Sequence, residues 1–340
     1  MAVGEGSEGR VRFTTGLALS TVAPLAGAPL LAPDGGRGTA EILGVLVVVA
    51  YAGHVAVTAW LWTDRDVRHL AHRRPWRLVG VPAALVALGA GAPLVVSGRA
   101  FGWLLLGFFV WQFTHFQRQN LGLVSAVAGR WGSPALRTSE RWIVAVAGGC
   151  GTAGLVARPA LLGVGQHALP PPLAGALSSV AETGLVVCVA TALVCWARST
   201  RPAPVAAAHV LAVTFMAPVF LFWTPAAAVT GTVVAHGLQY LWVVGWRTLG
   251  TQHPRRGGHD GRRTVIPIVV LAVGGGSALA AISERHGARG AVLHLLYGAY
   301  FGIVMAHFAV DSAVWRRSKG PLRAWQRTRP LLPSPVPGGC

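Results

Sequence analysis

Charged side chains are scarce in this chain, and acidic ones scarcest: of 340 residues, 11 are Asp or Glu, and all charged types together make up 12%. A soluble domain carries about 25%, so this composition lacks the polar surface that a water-soluble fold of this length needs. Cysteine is sparse as well. Cys150, Cys188, Cys195 and Cys340 form neither a C-x-x-C pair nor a C-x-x-C-H, so neither a disulfide framework nor c-type haem attachment follows. There is no G-x-S-x-G elbow, no G-x-x-x-x-G-K-[ST] loop and no G-x-G-x-x-G between a strand and a helix. Nucleophilic acyl transfer, P-loop chemistry and dinucleotide binding are therefore without their signatures.

Apolar residues are abundant: 53% of the chain, with a mean hydropathy of +0.54. They gather in about ten runs, at 13–32, 40–63, 78–96, 101–116, 142–162, 173–196, 205–223, 226–246, 264–282 and 290–315. Runs of this length predict membrane helices. Pro24, Pro29, Pro82 and Pro218 fall inside them, which membrane helices tolerate when neighbours re-satisfy the backbone. The first run, behind Arg10 and Arg12 and ending near Ala26-Gly27-Ala28, also fits a cleavable signal peptide. Retention as a span is the expectation.

The formal charge of +18 would suggest nucleic acid if it formed one patch, but it lies between the apolar runs. Counted by alternating segments, 24 of the 29 Lys and Arg residues fall in one set, and Arg37, Arg99, Arg158, Arg285 and Arg289 make up the other. The positive-inside rule then puts both termini in the cytoplasm. The expected fold is an all-α, polytopic transmembrane helical bundle in the cell membrane. Residues 1–12 form a cytoplasmic segment, 13–315 the bundle, and 316–340 a basic, Pro-rich cytoplasmic tail. Trp60, Trp62, Trp131, Trp142, Trp196, Trp223, Trp242, Trp246 and Trp315 sit mainly near run ends, as an interfacial belt would. Gly274-Gly275-Gly276, inside an apolar run, is expected at a helix contact.

The most informative stretch is Trp111-Gln-Phe-Thr-His-Phe-Gln-Arg-Gln-Asn-Leu-Gly122. On a helix Gln112, His115 and Gln119 share one face. His236-Gly-Leu-Gln239-Tyr240 and His307-Phe-Ala-Val-Asp311 repeat the pattern of a histidine in an apolar run with a polar group three or four residues on. Such groups are costly in hydrocarbon and usually functional. With the termini inside, His54, His115, His236 and His307 fall midway or in the cytoplasmic half of their spans, and His209 lies near the cytoplasmic face. His167, His286 and His294 lie toward the other side. His253 and His259 fall in a basic loop, and His69 and His72 read as a solvated loop face. Glu182, in the sixth run, is expected to be a satisfied structural carboxyl.

Imidazoles from several helices of a bundle, with carboxylate and amide neighbours to orient them, are the materials of a metal site. The candidate ligands are His54, His115, His209, His236, His307 and Asp311, and the candidate catalytic side chains are Gln112, Gln119, Gln239 and Tyr240. This constellation resembles the histidine-rich intramembrane oxygenases. It is similar in style to the bacterial Brp/Blh-like carotene-cleaving oxygenases, whose iron is held by single histidines on separate helices, as His54, His115, His236 and His307 would be here. It resembles the fatty-acid desaturase and hydroxylase superfamily in depth and ligand type, without that group's H-x-x-H-H boxes. The resemblance implies non-haem iron, in one or two ions, oxidising, oxygenating or desaturating a hydrophobic small molecule or lipid, with an electron-donor protein as a further partner. Copper would suit the same ligands. The alternatives from other classes are a bis-histidine haem protein and a proton-coupled transporter using His307, Asp311 and Glu182 as relay groups.

Overall fold

The computed structural model describes residues 7–31, 47–63, 65–96, 98–162, 164, 169–250, 261–283 and 291–315. Arg37, His167, His253, His259, His286 and the basic segment 316–340 lie outside the described residues. Every described element is a helix, and no strand occurs among the described residues. In chain order they are α1 (Ser7–Leu31), α2 (47–63), α3 (Arg65–Arg73), α4 (Trp76–Val95), α5 (Gly98–Arg130) and α6 (Thr138–Ala157). Then come α7 (Pro171–Ala197), α8 (Ala203–Thr214), α9 (Pro218–Leu221), α10 (226–250), α11 (261–283) and α12 (Ala291–Trp315). Each apolar run of the sequence falls on one or two of these helices.

Five segments are long and apolar enough to cross a membrane: Ser7–Leu31, Trp76–Val95, Pro171–Ala197, Ala226–Trp246 and Val292–Ala313. Their outward faces carry bare aliphatic side chains, among them Leu30, Leu88, Val95, Val180, Val186 and Val292. Water would not leave such surfaces uncovered, and they point to a membrane protein. Trp76, Trp142, Trp196 and Trp223 are exposed, as a belt requires.

Two boundaries differ from expectation. The run 101–116 does not end at Phe116, because α5, 33 residues long, continues to Arg130. Its second half buries Gln117, Asn120, Val124 and Val127, so the polar cluster after His115 is helix interior and no loop begins there. The run 205–223 breaks at residues 215–217 into α8 and α9, where Pro218 cannot continue the upstream hydrogen bonding. Glu182 is also not where a structural carboxyl was expected. It is exposed on α7 and has no partner among the described residues.

Close backbone contacts set the packing. α4 lies along α12, where a Cβ on Gly89 would come within 2.7 Å of Gly298 and Gly302 backbone atoms. α10 meets α2 at Gly237, where a Cβ would collide with the Ala50 carbonyl. Small residues permit such approaches between membrane helices. Gly275 of α11 similarly rests on Ala56 of α2, so the glycine triplet does sit at a helix contact. α1 packs along α10, with Trp242 Nε1 donating to the Phe13 carbonyl at 3.1 Å. α5 touches α6, α8 and α12. The largest core cluster joins Tyr51, Phe113, Phe116, Phe215, Met216 and Phe308, and it surrounds the histidines.

Candidate metal centre

His54 comes from α2, His115 from α5, His236 from α10 and His307 from α12. All four are buried, His54 and His236 completely. The His54 ring centroid lies 4.8 Å from that of His236 and 4.8 Å from that of His307. The His115 centroid lies 5.2 Å from that of His236 and 5.5 Å from that of His307. Phe116 stacks on His236 at 3.9 Å, and Phe308 on His115 at 4.4 Å, so both imidazoles are clamped by a neighbouring aromatic face. Four separate helices therefore deliver one imidazole each to a single point.

Asp311 joins them one turn after His307. Its Oδ2 is 3.7 Å from His307 Nε2 and 3.9 Å from His115 Nε2. Ligand atoms of His54, His236 and His307 lie within 4.8 Å of one another, and so do those of His115, His307 and Asp311. His307 belongs to both trios.

Hydrogen bonds outside the cluster orient the rings. His54 Nδ1 lies 3.2 Å from the Ala50 carbonyl, its partner one turn back. A carbonyl can only accept, so the proton sits on Nδ1 and the Nε2 lone pair is free to face inward. His307 Nδ1 lies 2.5 Å from Thr58 Oγ1, while the Thr58 hydroxyl donates back to the His54 carbonyl at 3.4 Å. Thr58 thus accepts from His307, and the Nε2 of His307 also turns to the centre. Tyr240 donates to Asp311 Oδ1 at 3.3 Å, and its oxygen stands 3.3 Å from Thr58 Oγ1.

Against that ordered outer layer, the inward nitrogens stand alone. Nε2 of His54, His115, His236 and His307 is buried with no hydrogen-bond partner among the described residues, as is Nδ1 of His236. Unmet buried donors or acceptors cost about 1–3 kcal/mol each, and several at one point are what a cation would satisfy. Four neutral imidazoles and a carboxylate match a first-row metal ion by donor type.

The other sequence candidates fall elsewhere. His209 hydrogen-bonds the Glu140 carbonyl at 3.0 Å and serves the α6–α8 contact, outside the cluster. Gln119 donates to the His236 carbonyl at 3.1 Å and to Gln239 Oε1 at 3.3 Å. Gln239 donates to Thr21 at 2.9 Å, so these two amides tie α5, α10 and α1 together behind His236. Gln112 is buried beside Tyr51, and its Oε1 has no partner among the described residues. His69, His72 and His294 are exposed. Thr58, a neighbour of His54 by sequence, is not among the ligand or catalytic candidates. Its only signal was the i, i+4 spacing from His54.

No protein-family model, curated protein or solved structure matches the chain. The site must be judged by its own chemistry.

Proposed function

We propose that this chain is a multi-pass membrane metalloenzyme that oxidises, oxygenates or desaturates a lipophilic substrate at a non-haem iron held by His54, His115, His236, His307 and Asp311. The observation that carries the proposal is the grouping of four buried imidazoles, from four helices, with Asp311 in two overlapping ligand trios, the Nε2 atoms of all four having no hydrogen-bond partner among the described residues. A mixed imidazole and carboxylate set favours iron over softer alternatives, with copper the nearest competitor. When bound, such a metal supplies redox chemistry with oxygen. The chain itself excludes water with Phe116, Phe308 and Tyr51, fixes the imidazole tautomers through Ala50 and Thr58, and keeps a hydroxyl–carboxylate pair, Tyr240 and Asp311, beside the ligands. Net electron supply would come from a donor protein at the cytoplasmic face.

Haem fits these residues poorly. The imidazoles contact one another and two stacked phenyl rings, and they leave no slot between facing histidines for a porphyrin. A transporter would need a relay, but Glu182 stands exposed on α7 while His307 and Asp311 are buried.

The proposal includes about ten spans with both termini cytoplasmic. It is supported by the Arg asymmetry and by helices on all ten apolar runs. Reporter fusions after Arg77, Arg137, Arg201 and Arg262 should report cytoplasm, and fusions after Arg37, Arg99, Pro170 and Arg285 the opposite side. Reversal at any two would overturn the topology.

Metal analysis and an absorption spectrum of detergent-purified, monodisperse protein test the centre. Bound iron without a Soret band is the expected result. A Soret band, or no metal retained after supply of ferrous iron under reducing conditions, would overturn it.

A further inference from the structure

A crevice lies between α1, α5 and α8. Its walls are Leu17, Ala18, Leu123, Val124, Ala208 and Leu211, all apolar, and Asn120, Thr21 and Gln239 line it as well. Thr14, about two turns into α1, and Pro204, in the first turn of α8, also line it. Ala207 on its rim is exposed, whereas Asn120 retains only 3% of its surface.

The polar members of the lining are almost fully committed. Gln239 donates to Thr21 and accepts from Gln119. Thr21 in turn donates to the Leu17 carbonyl at 2.8 Å. Gln117, just behind Asn120, fixes the orientation of the asparagine amide. Its Nε2 donates to the carbonyls of Val144 at 2.8 Å and Ala212 at 2.9 Å, so its Oε1 is the acceptor left over. Asn120 Nδ2 fills that acceptor at 3.3 Å. The Asn120 amide can therefore be placed only one way round. Its Oδ1 is left as an acceptor with no hydrogen-bond partner among the described residues, in a residue that lines the crevice.

We infer that this crevice is a binding site for a long-chain lipophilic alcohol drawn from the membrane, with its chain against Leu17, Ala18, Ala208 and Leu211 and its hydroxyl donating to Asn120 Oδ1. An apolar trough with one unfilled acceptor selects for an apolar chain bearing one donor, because a ligand without the donor leaves the amide oxygen unsatisfied. Gln239 of the lining accepts from Gln119, and Gln119 also holds the His236 carbonyl, so two amides join the crevice wall to the backbone of a ligand of the proposed centre. Only in calling the occupant the substrate of that centre does the inference rest on the proposed function.

The test uses the full chain in nanodiscs and two probes: a diazirine-bearing long-chain alcohol and its methyl ether, which has the same chain and no O–H. The alcohol should label peptides covering residues 14–21 and 204–212, and the ether should label them at least about 10-fold less, the effect of one lost buried hydrogen bond. Asn120→Leu should abolish the preference while preserving ether labelling. Ala208→Trp, which fills the trough, should remove labelling by both probes. Equal labelling by alcohol and ether in the unmodified protein, or labelling that survives Ala208→Trp, would overturn the inference. Metal content is measured on the same samples. In the unmodified protein, equal labelling by the two probes with metal retained speaks against the crevice alone, and absence of metal with the probe preference intact speaks against the centre alone.

Discussion

Thr58 Oγ1 stands 2.5 Å from Nδ1 of His307 across the contact between α2 and α12. The hydroxyl belongs to the same helix face as His54 and is hydrogen-bonded to that residue's carbonyl, so one threonine registers two of the four imidazoles. Removing it should loosen His307 without deleting a ligand. Thr58→Val is expected to weaken metal affinity by about 10- to 100-fold, the usual loss when an outer partner of a ligand is removed. Thr58→Ser should restore most of it. Chelator competition on purified protein measures both, and a Thr58→Val protein that binds metal normally would show that the Phe308 and Asp311 surroundings suffice to hold the ring.

The histidines should divide by position. Alanine at His54, His115, His236 or His307 should abolish metal retention while folded protein remains in the membrane. His209→Ala should keep the metal, because its ring is spent on the Glu140 carbonyl. Metal stoichiometry normalised to the monodisperse fraction distinguishes the groups. If His209→Ala lost as much metal as the other four, the site as drawn would be wrong.

Asp311 is buried, touches two imidazoles and receives the Tyr240 hydroxyl. An aspartate at the centre of a membrane helix costs about 2.5–3.5 kcal/mol on insertion scales, which a bound cation would offset. Asp311→Asn keeps the shape and removes the charge. Metal affinity or turnover should fall by about 10- to 100-fold. A purely scaffolding carboxylate predicts the opposite pattern, with lower thermal stability and unchanged metal per folded molecule.

Stability at low pH should depend on a pair far from the centre. At the start of α6, ahead of the apolar run, Glu140 holds Arg201 through hydrogen bonds of 2.8 Å to Nε and 2.8 Å to Nη2. Arg201 also donates to Ser133 and to the carbonyls of Pro134 and Ala135, pinning the α5–α6 turn. Burial pushes the Glu140 carboxyl up, but the Arg201 and Arg137 hydrogen bonds outweigh it and hold the carboxyl below its ordinary value. A group depressed in the folded state contributes stability that is complete above its unfolded pKa and is lost as pH falls through the folded one. The unfolding temperature should therefore drop as pH is lowered below about 4.3, the ordinary glutamate value. Glu140→Gln should cost about 1.5–3 kcal/mol at pH 7, the range for hydrogen bonds to a charged group, and should flatten the acid limb. Unfolding curves at stepped pH follow both effects.

Much of this molecule was legible in the chain. Scarce charge and repeated apolar runs dictate helices, since hydrocarbon leaves a backbone no other way to satisfy its hydrogen bonds within one segment. Among the described residues, each run carries helix. The three-to-four-residue spacing in His307-Phe-Ala-Val-Asp311 and His236-Gly-Leu-Gln-Tyr240 fixed which side chains share a helix face, because that spacing is the helical repeat. The Arg asymmetry sets an expected depth for each histidine.

Position around the bundle could not be ranked, because periodicity within one helix says nothing of how that helix is turned against another. His115 and Gln119 share a face by spacing, yet only tertiary packing turns the imidazole to the cluster and sends the amide to the His236 carbonyl. His209 sits at a suitable depth and is drawn to Glu140 instead. The helix that runs past Phe116 to Arg130 was hidden by its polar residues, which hydropathy reads as a loop and which burial against α6 and α8 turns into core. Gly237 decides the rest. Its missing side chain lets α10 lie against Ala50 of α2, and that single close approach, invisible in the sequence, brings His236 to His54.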